Sequence, residues 1–361
     1  MQTIISIIVF ILILGSIIII HEFGHFMAAK YFNVYCSQFS IGFGPKIWSK
    51  QGKETEYEIR CIPFGGFVAM AGEDDQVDNE ELKDVPVERT LKGIKTYQKI
   101  IIFAAGVFMN FVLAIVVTLG VNLFAGQIAV DQCVVGSIPD DSPAIAYDIQ
   151  EGDIIQEVYV KETGESILIS NYSDLSLTQE SLNLSSDNIN VIITVLRDDE
   201  EVSIDMQMYY NESDGTYKVG FTQATRAMSL SEAFSYTFTS LLEMSVVIIE
   251  ALGQLVVNFT GTVSQLSGPA GIYQITSEVT STGQTEYIFS LLAMLSVNVG
   301  IFNLMPIPGL DGCQILYAVV EKIIGRELPQ NLKIALQLVG LGLVLLLMVI
   351  VTYQDIVRML T

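Results

Sequence analysis

Charged residues, histidines and paired cysteines are all scarce in this sequence, and each shortage excludes a class of protein. Only 16% of the 361 residues are charged and 51% are hydrophobic, whereas about 25% are charged in an ordinary soluble domain, so a water-soluble single domain is excluded. None of the four cysteines stands in a Cys-x-x-Cys pair, which argues against a disulfide framework and a cysteine zinc site. Lys and Arg number 18 against 40 Asp and Glu, a net charge of −22, so nucleic acid is not an expected partner.

Long apolar stretches, by contrast, are abundant. About 20 apolar residues cross the roughly 30 Å hydrocarbon core of a bilayer. Four stretches meet this requirement: residues 4–20, 100–125, 287–309 and 333–352. A fifth stretch, 241–257, carries two glutamates seven residues apart on one helical face. It is predicted to lie along the outer surface of the membrane as an amphipathic helix.

The distribution of Lys and Arg predicts the orientation of the chain, because cytosolic connections carry an excess of basic residues. Ten of the 18 lie in residues 30–99 and three more in 314–333, whereas the long stretch 126–286 holds four. We therefore expect 30–99 and 314–333 on the cytosolic side and the acidic 126–286 outside, with four crossings in total.

Two regions between the apolar stretches have the short runs and turns of β-structure. Residues 127–222 predict a β-rich domain, with 191–210 as a hairpin around an acidic turn. Residues 142–155, SPAIAYDIQEGDII, resemble the helix-turn-strand segment of PDZ domains, and an unrelated small β domain is the alternative. Residues 38–70 predict strands and tight turns, and non-helical backbone near membrane depth must pack on protein or line a cavity.

The motif that carries chemistry is His21-Glu22-Phe23-Gly24-His25, which contains both histidines of the chain. On a helix the two histidines lie one turn apart on one face, so both imidazoles can bind one Zn²⁺, with Glu22 placed to take a proton from water on the metal. A catalytic zinc site needs a third protein ligand, for which Asp311 and, on chemical grounds, Cys313 are candidates. The alternative is a polar helix end that merely meets the membrane interface.

These motifs together resemble the site-2 protease family, and within it the bacterial RseP/RasP-type intramembrane zinc metalloproteases with one PDZ domain. The resemblance covers nearly the whole chain and rests on HEFGH, IGFGP, IPFGGF, SGPAGI at 267–272 and NLMPIPGLDG at 303–312. It implies that His21, His25 and Asp311 bind Zn²⁺ and that Glu22 is the general base. One departure is Val107, where the family usually has proline after Ala-Gly, although Asn110 three residues on matches the family.

The resemblance also implies how substrate is held and what is cut. Asn303 is expected to help bind substrate, and the β-hairpin around Arg60–Ala71 is expected to pair with the unwound substrate helix through Phe64, Gly65, Gly66 and Phe67. The implied activity is an intramembrane zinc endopeptidase in which zinc-bound water attacks peptide bonds within transmembrane segments. Its expected substrates are single-pass membrane proteins already trimmed by another protease, such as anti-sigma factors or signal-peptide remnants, in regulated intramembrane proteolysis.

The predicted architecture is an α-helical polytopic membrane protein with about four transmembrane helices, a membrane-associated β-hairpin and an inserted extracytoplasmic PDZ-like α+β domain. We expect it in the bacterial inner or plasma membrane, with the active site toward the cytosolic side. The predicted segments are the first transmembrane helix (1–32), the cytosolic-side loop with the hairpin (33–99), the second transmembrane helix (100–126), the PDZ-like domain (127–222), an extracytoplasmic segment with the amphipathic helix (223–286), the third transmembrane helix (287–313), a cytosolic loop (314–332) and the fourth transmembrane helix with the C-terminus (333–361).

Two other functions fit parts of the pattern. One is a catalytically silent membrane PDZ scaffold or zinc sensor, but a site that only binds metal has no need of a base such as Glu22. The other is a metal transporter, which needs a chain of ionisable groups along a path, and the third and fourth apolar stretches supply almost none. The intramembrane protease is therefore the favoured interpretation.

Overall fold

The computed structural model describes residues 2–73, 85–140, 142–175, 188–211, 216–263 and 266–360. The chain divides into two compact units, one formed by Met1–Phe124 together with Glu232–Thr361 and the other by Ala125–Ser231. The first unit holds the long apolar helices and the paired histidines. The second unit is the predicted β-rich domain.

Helices dominate the first unit, because an apolar segment in lipid has to satisfy its backbone hydrogen bonds internally. Within the described residues, five of them are long and apolar enough to cross a membrane, namely α1, α2, α3, α6 and α8. The helices are α1 (Gln2–Tyr31), α2 (Thr96–Phe124), α3 (Leu230–Val257), α4 (Phe259–Val263), α5 (Pro269–Ser281), α6 (Thr285–Asn303), α7 (Asp311–Ile324) and α8 (Gln330–Leu360).

Helices α1 and α6 run parallel to each other. Ile17 of α1 shares an apolar cluster with Leu295 of α6. One turn further along α1, His21 reaches Asn303, the last residue of α6. Because the contacts follow the same order along both helices, α1 and α6 point in the same direction. This direction is the one expected if His21, His25 and Asp311 lie at the same depth in the membrane.

Helix α2 runs antiparallel to α1. His25 contacts the carbonyl group of Ile102 near the start of α2, whereas the earlier His21 contacts Asn110 two turns further on. The prediction of a helix at this place is confirmed, and α2 continues without a break through Val107, where the family pattern has proline. The departure from that pattern therefore leaves the helix intact.

The segment predicted as a surface helix at 241–257 belongs to a longer helix, α3, which begins at Leu230. Leu241 packs in a cluster with Ala114 of α2 and Val297 of α6, while Glu243 and Glu250 are exposed. By length and composition α3 qualifies as a candidate membrane span, which makes five candidates beside the expected four crossings. Whether α3 crosses the bilayer stays a prediction.

Two prolines divide the predicted third span, 287–313, into two helices. Helix α6 ends at Asn303 and α7 begins at Asp311, because proline donates no backbone hydrogen bond and its ring clashes with the preceding turn. Gly309 in the connection has a φ of +98°, a left-handed conformation that glycine adopts without a steric penalty. The predicted span 287–313 is thus not one continuous helix, and the predicted loop 314–332 contains most of α7. Which of these residues lie within the bilayer stays a prediction.

The β-hairpin predicted between the first two apolar helices is larger than expected. Its strands β1 (Cys36–Gln51) and β2 (Glu56–Met70) pair so that residues 38–41 lie between residues 66–69 and residues 56–59. In the described part of the chain, residues 66–69 form one edge of this small sheet. The prediction placed a whole hairpin around Arg60–Ala71. In the structure these residues belong almost entirely to β2, and the other strand of the hairpin is β1.

The hairpin is held against α1 at two places. The ring of Phe26 on α1 packs edge-on against Phe39 of β1, with ring centroids 5.3 Å apart. Glu54, in the turn between the strands, binds Lys30 at 3.0 Å and Arg89 at 2.9 Å. These two cations hold the pKa of the Glu54 carboxyl below its ordinary value. Together the contacts fix the hairpin at the end of α1 that carries the histidines.

Helix α5 receives its N-terminal cap from a residue distant in sequence. The buried carboxylate of Asp355, on α8, accepts hydrogen bonds from the backbone N–H groups of Gly268 and Gly271 at 2.9 and 2.8 Å. The first N–H groups of a helix have no partner within the helix, and a carboxylate there is also favoured by the helix dipole. On its other side α5 packs its Tyr273 ring against Phe10 of α1.

The second unit contains a five-stranded antiparallel sheet with the strand order β5-β4-β6-β7-β8. The hairpin predicted at 191–210 is confirmed as β6 and β7. The segment predicted from 142–155 is a 3₁₀ helix at Pro143–Ala146, a turn at Gly152 with φ +96°, and β4. Its assignment as a PDZ domain stays a prediction. The strands are β3 (Gln127–Ala129), β4 (Ile154–Val160), β5 (Glu165–Leu168), β6 (Ile189–Arg197), β7 (Glu200–Asn211), β8 (Thr216–Lys218) and β9 (Thr225–Ala227), of which β3 pairs with β9.

Candidate metal centre

Three side chains of the types that ligate metals meet where α1 approaches the start of α7. His21 and His25 lie one turn apart on α1, and Asp311 is the first residue of α7. Asp311 Oδ2 lies 3.0 Å from His21 Nε2 and 3.3 Å from His25 Nε2, and the two Nε2 atoms are 3.2 Å apart. Both histidines are buried. The turn at Gly309, between α6 and α7, precedes Asp311 by two residues.

This set of donor atoms fits a zinc ion. Two tetrahedral ligands at zinc bond lengths are roughly 3.3 Å apart, which matches the separations among the three atoms. Asp311 Oδ2 is buried and accepts no hydrogen bond in the described part of the chain. Cys313, the other candidate for the third ligand, is buried but does not belong to this group of donor atoms.

Glu22 lies in the same cleft as the donor atoms. The cleft is lined by His21, Glu22 and Asp311 together with Gly65 and Gly66 of β2. A Cβ atom placed on Gly66 would lie 3.0 Å from Glu22 Cγ, so the edge of the hairpin sheet passes directly beside the carboxylate. A carboxylate, the group of three donor atoms and the half-buried start of a strand edge at Gly66 therefore meet at one cleft.

The structure brings some of the predicted substrate-binding residues into this cleft and not others. Asn303 lines it, with Nδ2 3.5 Å from His21 Nε2. The ring of Phe67 instead stacks on Phe43, with centroids 6.5 Å apart, and lies beneath Arg60. Phe64 lies in β2, but its side chain is outside the described part of the structure.

Helix α2 supplies contacts to both histidines that the sequence motifs did not predict. His25 Nδ1 lies 2.8 Å from the carbonyl oxygen of Ile102, and His21 Nδ1 lies 3.3 Å from Asn110 Nδ2. A backbone carbonyl acceptor has no signature in a sequence. Asn110 did have one, since a buried amide inside an apolar span is costly unless it has a partner.

Comparison with known proteins places the whole chain in one family. The sequence profile of peptidase family M50 matches residues 9–347. A putative zinc metalloprotease of Clostridium perfringens is 32% identical over 352 residues, covering 96% of this chain and 97% of the relative. A putative zinc metalloprotease of Nostoc is 30% identical over 348 residues, covering 94% and 93%. The regulator of sigma-W protease RasP of Bacillus subtilis is 29% identical over 432 aligned residues, covering 98% and 99%.

Proposed function

The chain belongs to peptidase family M50, and we propose that it hydrolyses peptide bonds within the transmembrane segments of single-pass membrane proteins. It is a zinc metalloprotease and a membrane protein. One observation carries the proposal: the donor atoms of His21, His25 and Asp311 converge within 3.3 Å in the cleft that also holds Glu22 and the edge of the hairpin.

In the proposed site each residue has a separate task. His21, His25 and Asp311 would hold the zinc ion, which would act as a Lewis acid and make water nucleophilic near neutral pH. Glu22 accepts the proton of the attacking water and later returns it to the leaving amine. Asn303, at the rim beside His21, donates its amide N–H to the substrate backbone and orients the scissile peptide.

The strand edge at residues 66–69 addresses a difficulty specific to substrates within a membrane. In a transmembrane helix every backbone group is hydrogen-bonded internally, so its carbonyl groups are closed to attack until the helix unwinds locally. The freed N–H and C=O groups can pair with an exposed strand edge. Gly65 and Gly66 line the cleft at the start of this edge, where the Phe43 ring and the Ser40 carbonyl oxygen leave no room for a side chain on either glycine.

The proposed topology follows from the parallel arrangement of α1 and α6. If both cross inward, α2 returns outward and the chain between α2 and α6 makes no net crossing. Helix α5 has 13 residues, which at 1.5 Å per residue is about 20 Å and too short to span the bilayer. We therefore place α3 as a helix that does not cross, the second unit outside, and the metal centre toward the cytosolic side.

The substrate class is proposed by likeness. The relative from Bacillus subtilis is named a regulator of sigma-W protease. By that likeness, candidate substrates here are single-pass membrane proteins that control transcription, such as anti-sigma factors, after another protease has trimmed their outer part. Signal-peptide remnants have the same form, a short apolar helix with little outside it.

The deciding experiment uses the purified full chain in liposomes with a model single-pass substrate. Glu22→Gln removes the base and leaves the three donors in place, so we expect full zinc content and a fall in cleavage of about 10²–10⁴-fold. Glu243→Gln, an exposed glutamate on α3, is the matched control and should cleave normally. Cleavage by Glu22→Gln at the wild-type rate contradicts the mechanism. Zinc binding without cleavage by the wild type would favour a sensor or scaffold, and zinc flux into the liposomes a transporter.

A further inference from the structure

Three residues of α2, spaced four residues apart, face the paired histidines of α1. They are Ile102, Gly106 and Asn110, and residues four apart lie above one another on one helical face. Ile102 and Asn110 are each 0% exposed. The facing helix α1 carries His21 and His25 at the same interval, so the two antiparallel helices match turn by turn.

The first of these residues holds His25 through its backbone. His25 Nδ1 lies 2.8 Å from the carbonyl oxygen of Ile102, which can accept a second hydrogen bond in addition to that of its own helix. A histidine that donates from Nδ1 keeps the lone pair of Nε2 free. That Nε2 atom points to Asp311, at 3.3 Å.

The second residue provides space rather than a bond. A Cβ atom on Gly106 would lie 2.3 Å from His25 Nε2 and 2.8 Å from His21 Cε1. Both imidazole rings therefore stand against the bare backbone of α2 at this turn. Any side chain here would displace the nitrogen atoms that point to Asp311.

The third residue, Asn110, contacts Nδ1 of His21, just as Ile102 contacts Nδ1 of His25. Asn110 Nδ2 lies 3.3 Å from His21 Nδ1, and Asn110 Oδ1 is buried with no hydrogen-bond partner in the described ranges of the chain. A rotation of the Asn110 side-chain amide by 180° exchanges its nitrogen and oxygen atoms. In that orientation Asn110 Oδ1 faces His21 Nδ1. A histidine that binds metal through Nε2 carries a proton on Nδ1 and needs such an acceptor.

We propose that Asn110 is the positioning residue of the metal centre: its amide oxygen accepts the Nδ1 proton of His21 and so fixes the tautomer and the ring orientation in which Nε2 faces the zinc ion. The proposal rests on the zinc ligands proposed above. The backbone at this position is itself held, because the Ser296 hydroxyl on α6 donates to the carbonyl oxygen of Asn110 at 2.8 Å. Helix α2 is thus a second wall of the metal centre that contributes no ligand.

The same helix provides the control that separates this role from simple helix packing. Asn122 is also a buried asparagine on α2, but its amide donates to Thr237 Oγ1 at 3.0 Å and ties α2 to α3. It lies 12 residues from Asn110, about 18 Å along the helix. Substitution of either asparagine by leucine removes a buried hydrogen bond of α2, and only one of the two bonds reaches a proposed ligand.

The test measures zinc affinity by competition with a chelator, on the full chain purified in detergent. Asn110→Leu should lower the affinity by about 10–100-fold, Asn110→Asp should restore most of it because a carboxylate accepts the same proton, and Asn122→Leu should match the wild type. If the leucine variant does not purify in folded form, Asn110→Ala takes its place.

Three outcomes overturn the positioning role: undiminished affinity in Asn110→Leu, an equal loss in Asn122→Leu, or no recovery in Asn110→Asp. The double variant His21→Ala/His25→Ala, run in the same assay, tests the proposed ligands separately. Zinc retained by that double variant contradicts the ligand set. Zinc lost there but kept by Asn110→Leu contradicts only the positioning role.

Discussion

The two helices beside α1 approach the metal centre in different ways. On the α2 side the backbones are in contact: a Cβ atom on Gly24 would lie 2.3 Å from the carbonyl oxygen of Ala105, and both Nδ1 atoms face α2. On the α6 side, Ile17 packs with Leu295, and beyond them the cleft opens between α1, α6 and the edge of β2. We infer that the closed α2 side orients the ligands and the open α6 side admits the substrate.

The largest effect should come from removing the ligands that both sides share. His21→Ala/His25→Ala is expected to abolish zinc binding and reduce cleavage to background, and Asp311→Asn should weaken zinc binding because the amide carries no charge. Metal analysis of the purified variants checks both. A double variant with full zinc occupancy would show that the metal is bound elsewhere and would remove the basis of the comparison.

The second prediction concerns the α2 side and uses a substitution that adds one methyl group to Gly106. Gly106→Ala would place a Cβ atom 2.3 Å from His25 Nε2, so we expect zinc affinity to fall by more than tenfold, a loss of the size that disturbed support of a ligand produces. Gly120→Ala lies on the same helix with no atom within 4 Å of its Cβ and should bind zinc normally. Equal affinities in a chelator titration would mean that the α2 side is not closed.

On the open side, an added methyl group should reduce catalysis and leave zinc affinity unchanged. A Cβ atom on Gly66 would lie 2.9 Å from the carbonyl oxygen of Ser40 and 3.0 Å from Glu22 Cγ. Gly66→Ala is therefore expected to keep its zinc and to lose about 10²-fold in kcat/KM, because the base and the strand edge shift relative to the substrate. Gly342→Ala, on α8 with open space around its Cβ, is the control. Loss of zinc in Gly66→Ala would erase the distinction between the two sides.

The last prediction, with the smallest expected effect on activity, tests the direction in which α6 crosses the membrane. In a Cys61→Ser background, which removes the exposed native cysteine, Ser281→Cys should react with a membrane-impermeant reagent added outside and Glu327→Cys should not. Both native residues are exposed, and activity should be unaffected. The reverse pattern would place the start of α6 inside the cell and contradict the proposed orientation.

The parts of the centre that sequence reasoning located are those with side-chain chemistry. The spacing of His21 and His25 defines a metal-binding face on any helix, and Asp311 was indicated because few carboxylates stand inside an apolar stretch. The helices α1, α2 and α8 follow from apolar length, which lipid enforces. The strands of the hairpin were expected from short apolar runs rich in glycine, though not their full extent.

The parts that sequence reasoning missed depend on packing rather than on residue type. The Ile102 carbonyl and the space at Gly106 acquire meaning only when α1 lies against α2. The start of α3 at Leu230 lies outside the apolar stretch 241–257, because residues 231–240 are rich in serine and threonine and form no continuous apolar run. The two prolines of the third apolar stretch indicate an interrupted helix, but the residues at which α6 ends and α7 begins depend on how the connection packs.

The cap on α5 has a consequence for the order in which this protein is made. Asp355 follows Gly271 by 84 residues, so α5 leaves the ribosome well before its capping carboxylate exists. Until α8 has been synthesised, the N–H groups of Gly268 and Gly271 lack this partner. The three side chains of the candidate metal centre have been translated by then, because Asp311 precedes Asp355. The cap of α5 is therefore completed only when α8 docks, after every ligand proposed here is already present in the nascent chain.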